Sequence, residues 1–177
     1  MNGSVRIEKK KYRRFLGKYD GYKYVWFKTA KEFVVILLIV IVIFNVFVGV
    51  SRVSGDSMEP TLQNGNVVFF LRIGSDYQDG DVVFARMPSG DFYVKRVIAT
   101  EGEVVDLIDG KFYIDGVEEH GDYILGVTEA QKGIVTYPYT VEEGTYFMVG
   151  DNREGSMDSR TFGALPEGSI KGKLILR

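Results

Sequence analysis

Residues 103–114 read Glu-Val-Val-Asp-Leu-Ile-Asp-Gly-Lys-Phe-Tyr-Ile. Two β-prone halves flank Asp109-Gly110, a dipeptide that readily supplies the two positive-φ residues a tight hairpin needs. The segment therefore predicts antiparallel strands over 103–108 and 111–114. Comparable runs recur at 67–73, 82–87, 92–100, 145–149 and 170–176, broken by turn residues such as Pro88-Ser89-Gly90. Nothing between them is long and periodic enough for a set of crossover helices, and 21 glycines in 177 residues point the same way. The expected fold class is mainly β, an antiparallel barrel-like or sandwich-like domain. Residues 118–139 are less regular and read as an insertion loop with a short hairpin.

Upstream of the β-rich part, residues 33–50 read FVVILLIVIVIFNVFVGV, without one formal charge. At about 1.5 Å per residue this run reaches roughly 27 Å, close to the hydrocarbon thickness of a bilayer. It has no polar face for water, so it reads as a transmembrane helix. Residues 1–32 carry 10 Lys or Arg against 3 Asp or Glu, net +7, whereas residues 33–177 carry 12 against 21, net −9. Because basic residues flanking a span stay on the cytoplasmic side, the expected order is a cytoplasmic and juxtamembrane segment over 1–32, a single span over 33–50, and an extracytoplasmic domain over 51–177. Aromatics within 12–27 suit the headgroup region better than a nucleic-acid arm, and no nucleic-acid partner is expected. Both the basic segment and the apolar run are too long for a removable leader. Gly49-Val50-Ser51 nevertheless has a small-x-small pattern, which raises slow self-processing near Ser51 as a hypothesis.

The chain has no Cys and one His. That composition excludes a disulfide framework, a thiol nucleophile, a Cys-based zinc site and a multi-His metal centre. His120, among Glu118, Glu119 and Asp122, reads as solvated. No metal or cofactor is expected.

Three polar segments carry candidate chemistry. SGDSMEPTL, residues 54–62, places a Gly-flanked serine between the span and the first strand of the domain. DFYVKRVI, residues 91–98, puts Lys95 and Arg96 on opposite faces of one strand; this is either charge protection of an edge strand or a cation turned inward for a purpose. GDNREGSMDSR, residues 150–160, is either a surface loop or a buried hydrogen-bonded loop that orients a neighbouring site.

In this order, together with Phe162-Gly163 and Ile170-Lys171-Gly172, these segments resemble the bacterial type I signal peptidases (leader peptidases) of the single-span Gram-positive type. The resemblance implies a Ser-Lys endopeptidase, membrane-bound near the protein-export machinery, that removes signal peptides from secreted pre-proteins through an acyl-enzyme. Carried over residue by residue, it implies Ser57 as nucleophile and Lys95 as general base. Ser156, Asp158 and Arg160 would be supporting residues, and Val53, Met58, Leu62, Tyr93 and Val94 would line the substrate pockets. A lysine serves as base only when neutral, so its pKa must fall from near 10.4, which desolvation achieves. Asp158 must then be neutralised by Arg160 or point away, Ser156 would hydrogen-bond the Lys95 amine, and Asp151 would pair with Arg96 or Arg153. The Ser57 backbone N–H would serve as oxyanion donor. Two departures stand out: Ala99-Thr100-Glu101 replaces a Gly-x-Pro turn, and Gly55 occupies a position where some members place a second, oxyanion-binding serine. Self-cleaving repressors share a Ser-Lys dyad but need no span, and a non-catalytic assembly factor would lack one member of the dyad.

Overall fold

The computed structural model describes residues 2–74 and 76–176. Met1, Ser75, Arg177 and the side chains of residues 2–21, 23 and 176 lie outside the described residues, and with them most of the basic segment expected over 1–32. The chain divides into two compact units, residues 1–45 and 46–177.

The first unit is helix α1 (Asn2–Val46). Its Tyr24–Val46 portion, 23 residues, is apolar enough to cross a membrane, and none of its side chains is buried. At 1.5 Å per residue it is about 34 Å long, enough to span a hydrocarbon core with some tilt. Asn45, the polar residue in the apolar run, donates from Nδ2 to the Ile41 carbonyl at 2.7 Å, so its amide has a partner within the helix itself.

The second unit is antiparallel β. Its larger sheet has seven strands: β1 (Val48–Arg52), β2 (Val67–Leu71), β3 (Val82–Arg86), β4 (Phe92–Ala99), β9 (Thr145–Val149), β10 (Leu165–Pro166) and β11 (Ile170–Leu176). They lie in the order β1-β2-β11-β3-β4-β9-β10. Register shifts in β4 and β11 curl the sheet into a half-barrel with β1 and β10 at its open edges. The smaller sheet holds β5 (Val104–Ile108), β6 (Lys111–Ile114), β7 (Val117–Glu118) and β8 (Tyr139–Thr140), in the order β7-β6-β5-β8. It packs on the larger one through a shared core in which Ile98 and Phe147 meet Val105 and Phe112. Asp109 and Gly110 have φ of 48° and 79°, the turn geometry expected for the β5–β6 hairpin. Asp115 and Gly116 repeat it at 50° and 80° to join β6 to β7, so part of the stretch expected to be an insertion loop extends this sheet.

The elements depart from the sequence expectation in the apolar run. The apolar run 33–50 is shared between elements: the helix ends at Val46, and Val48–Arg52 pairs with β2 along its whole length. Alternating β-branched Val48 and Val50 suit a strand, and Gly49 leaves room for the Phe70 ring, which a Cβ there would overlap. Of the two readings of the 91–98 strand, the inward cation is the one found, and β9 covers β4 from Arg96 onward. Strand β4 lies between β3 and β9, and both Lys95 and Arg96 are buried.

Candidate active site

Ser57 sits in the loop between β1 and β2. Gly55, two residues earlier, has φ of +92°, a conformation that favours glycine, and the space where its Cβ would stand is open. A turn follows, closed by the Glu59 N–H on the Asp56 carbonyl at 3.0 Å. Met58 and Leu62 then drop into a core cluster with Val53 and Val68, against which Val94 packs. Burial of these side chains anchors the loop and leaves Ser57 at its rim.

From β4, Lys95 Nζ donates to Ser57 Oγ at 2.9 Å. Only 2% of Lys95 is exposed, and burial brings its pKa down from 10.5 to about 8. Asp158 opposes that shift, Arg160 adds to it, and Asp151 opposes it more weakly. The Tyr93 ring centroid lies 5.3 Å from Nζ. With desolvation the largest influence, Lys95 is a poorly hydrated ammonium that gives up its proton readily, beside a hydroxyl that needs a base.

The loop after β9 braces this pair. Asp158 caps the short helix α2 (Ser159–Phe162), and Arg160 grips it with Nε on Oδ1 and Nη2 on Oδ2, each at 2.8 Å. Both residues are fully buried, so the carboxylate is compensated where it stands. The Gly150 N–H donates to Asp158 Oδ2 at 3.0 Å. A Cβ on Gly150 would collide with the Ser156 side chain and the Ser57 carbonyl, so glycine is what lets the two loops meet. The Asn152 N–H donates to the Ser57 carbonyl at 3.1 Å, and Asn152 Nδ2 to the Asp56 carbonyl at 3.3 Å.

The expected Ser156–Lys95 hydrogen bond is not made. Ser156 is buried, but its Oγ has no partner among the described residues; its carbonyl instead accepts from Gln131 Nε2 at 2.6 Å and Arg160 Nη2 at 3.1 Å. Of the two partners considered for Asp151, Arg96 is the one: Nε and Nη2 reach its two oxygens at 2.8 and 2.7 Å. Arg153 turns away to Glu119, with two bonds of 2.7 Å. Glu119 is thereby buried in an ion pair, whereas the neighbouring His120, expected to be solvated, has a side chain that is 76% exposed. Gln131, Asn152 and Glu119 were not singled out from sequence; each acts through contacts with residues distant along the chain, for which the sequence holds no local signal.

Four of the five expected pocket residues, Val53, Met58, Leu62 and Val94, come together in one cluster, and Tyr93 packs in the neighbouring core with Val97. The β4 edge beside them is open. β9 pairs with β4 only from Arg96 onward, so among the described residues no strand covers that edge from Phe92 to Lys95. The Ser57 N–H likewise has no acceptor among the described residues. Among them, too, no group of three or more His, Cys, Asp or Glu is placed to hold a metal ion.

Residues 26–177 match the family model described as signal peptidase, peptidase S26. A Staphylococcus aureus (strain Mu50) signal peptidase IB is 34% identical over 142 residues, 71% of this chain and 74% of the relative. An Arabidopsis thaliana chloroplastic thylakoidal processing peptidase 1 is 29% identical over 140 residues, 71% of this chain and 40% of that protein. A crystal structure of a signal peptidase I from Enterococcus faecalis V583 is 33% identical, with a TM-score of 0.47 over 56% of this chain and 97% of the other. With the family match running from within the apolar part of the helix through the whole β domain, the chain belongs to the signal peptidase family, peptidase S26.

Proposed function

We propose that Ser57 and Lys95 are the nucleophile and general base with which this membrane-anchored serine peptidase removes signal peptides from exported pre-proteins. The observation that carries the assignment is the 2.9 Å contact between a serine hydroxyl and a buried lysine amine whose pKa is lowered to about 8. At pH 7 such a lysine is neutral in about one molecule in ten, against about one in three thousand for a free lysine.

The open β4 edge supports a substrate held as an added strand between the chain leading into Ser57 and residues 92–95. In the neutral form Lys95 Nζ takes the Ser57 proton while Oγ attacks the scissile carbonyl carbon. The Ser57 N–H is the oxyanion donor, and the bond from Asn152 Nδ2 to the Asp56 carbonyl, at 3.3 Å, helps fix the peptide that carries it. Collapse of the tetrahedral intermediate breaks the C–N bond, and the Lys95 ammonium gives its proton to the departing amine of the mature protein. A water deprotonated by Lys95 then attacks the ester carbon, the bond from that carbon to Ser57 Oγ breaks as the proton returns from Lys95 to Oγ, and the signal peptide leaves with a free carboxylate. Arg160 compensates the Asp158 carboxylate, which would otherwise hold the ammonium charged.

Side chains at substrate positions −1 and −3 fall on one face of the added strand, toward the cluster of Val53, Met58, Leu62 and Val94. The charge distribution, +7 over residues 1–32 and −9 beyond, supports a cytoplasmic N-terminus, a span within 24–46, and a catalytic domain on the far side of the bilayer near the export machinery. The test is incubation of the detergent-solubilised full chain with a labelled pre-protein, wild type beside Ser57→Ala. Cleavage at the leader junction by wild type alone is expected, and equal cleavage by both rejects the assignment.

A further inference from the structure

The face of the large sheet that holds the pocket cluster does not stop at Val94. Two residues back along β4 and on the same face stands Phe92, 50% exposed. Its ring stacks on Phe84 of β3 at 5.3 Å with an interplanar angle of 7°, and Phe84 stacks on Phe70 at 4.6 Å and 23°. Phe70 lies on β2, and β11 runs between β2 and β3, so the last contact bridges an intervening strand. It does so because β11 carries Gly172 there, opposite Phe84; a Cβ at that position would come within 2.7 Å of the Phe70 ring. Gly49 clears the ring from the β1 side in the same way. Two glycines thus make room for a continuous aromatic row that starts half-exposed beside the open β4 edge and runs across the sheet to Phe70 on β2.

The geometry points to Phe92, at the head of this row, as a specificity-determining residue that reads position −5 of the signal peptide through apolar contact. The inference rests on the reading of the β4 edge as the partner of the substrate strand. On an extended strand −1, −3 and −5 share a face, and the step from −3 to −5 matches the step from Val94 to Phe92. The occupant is the apolar stretch of the substrate itself. Signal peptides carry an apolar run of about 7–15 residues ahead of a small-residue cleavage site, so a chain anchored at −1 and −3 brings the end of that run to Phe92. The ring row offers surface continuous with the pocket cluster and needs no new hydrogen bonds.

The test uses the detergent-solubilised full chain and peptides with Ala at −1 and −3 that differ only at −5. Wild type is expected to cleave the Leu peptide about tenfold faster, by kcat/KM, than the Ser peptide, the size of effect given by burying a few tens of Å² of apolar surface. Phe92→Ser should shrink that ratio to within about twofold, and Phe92→Glu should reverse the preference toward Lys at −5, which a merely structural role for Phe92 would not do. Equal wild-type rates for Leu and Ser overturn the inference even if every variant misfolds. An unchanged ratio in the variants also overturns it, including the case where they only weaken attachment to phosphatidylcholine–phosphatidylglycerol liposomes, since the row then faces lipid. If −5 is ignored while Leu at −1 still blocks cleavage, this inference alone fails; if both positions are ignored, the substrate-strand reading fails with it.

Discussion

The backbone N–H of Asn152 donates to the carbonyl oxygen of Ser57 at 3.1 Å, joining positions 95 residues apart in the chain. Through that bond the loop after β9 touches the same residue that Lys95 touches from β4. Asp151, one residue away, is held by Arg96, the neighbour of Lys95. Ser57, Lys95 and the supporting loop are therefore three sides of one rigid frame, and disturbance of any side is expected to appear at the Ser57–Lys95 distance.

Ser57→Ala and Lys95→Ala should each lower cleavage of a pre-protein by about 10⁴-fold or more, and the double variant should be little worse than either single one, because the two groups act as a unit. Single-turnover assays of the three variants check this. His120→Ala, altered at an exposed side chain, should stay within about twofold of wild type.

The acidic limb of the pH–rate profile should follow Lys95, rising as pH increases through about 8. Folding has the complementary dependence. Unfolded Lys95 keeps its proton up to about 10.5 and the folded residue loses it near 8, so the unfolded chain binds more protons between those values. Stability contributed by this site should rise from pH 8 to 10.5, and the penalty should be present in full below 8. Lys95→Met should accordingly be inactive yet more stable than wild type at pH 7 by about 1–3 kcal/mol, measured by chemical denaturation.

Arg160→Gln should move the same limb to higher pH and Asp158→Asn to lower pH, since the first leaves an uncompensated carboxylate near Lys95 and the second removes it. Each breaks a buried ion pair at a cost of about 3–5 kcal/mol. The position of the limb does not depend on how much protein is folded, so it separates the electrostatic effect from loss of structure.

Ser156→Ala tests a buried hydroxyl without a partner. Removing such a group should leave stability unchanged or raise it by about 1 kcal/mol. If Ser156 turns toward the Lys95 amine once substrate is bound, cleavage should nevertheless slow by about 10–100-fold, less than loss of Lys95 itself. Wild-type activity in this variant removes Ser156 from the reaction.

Replacing Ala by Leu at position −1 of a pre-protein should slow cleavage by about tenfold to over a hundredfold, because Met58 and Leu62 are already packed and cannot yield without strain. Leu at −2, on the opposite face of the strand, is the control and should be tolerated. Equal rates for the parent and both variants would contradict the two-pocket arrangement.

What could be read from the sequence was local. The Asp109-Gly110 turn declared itself because its φ values are a property of two residues, and Asp115-Gly116, just ahead of the stretch read as a loop, bore the same signature. The segments holding Ser57 and Lys95 were visible as ordered motifs. Their contact was not, since only folding brings residues 38 positions apart together. Strand β1 was hidden because Val48 and Val50 satisfy a membrane helix and a sheet equally well, and only pairing with β2 decides between them. The Arg153–Glu119 and Gln131–Ser156 contacts were illegible because a charged or amide side chain in an irregular loop looks solvated until something buries it.

Strand β1 also bears on how such an enzyme tells itself from its substrates. Gly49-Val50-Ser51 has the small-x-small signature of a cleavable site, six residues from the nucleophile, yet Val50 and Ser51 are already paired with Phe69 and Val68. A peptidase that binds its substrate by adding a strand selects for chains whose backbone groups are still unclaimed. Self-recognition at Ser51 would require peeling β1 from β2 first, so pairing with β2 is expected to shield a sequence whose side chains suit the site. Loosening β1, for example by proline at Val50, should convert this hidden sequence into a substrate for neighbouring molecules, visible by mass spectrometry as a new N-terminus at Arg52 that does not form when Ser57 is alanine.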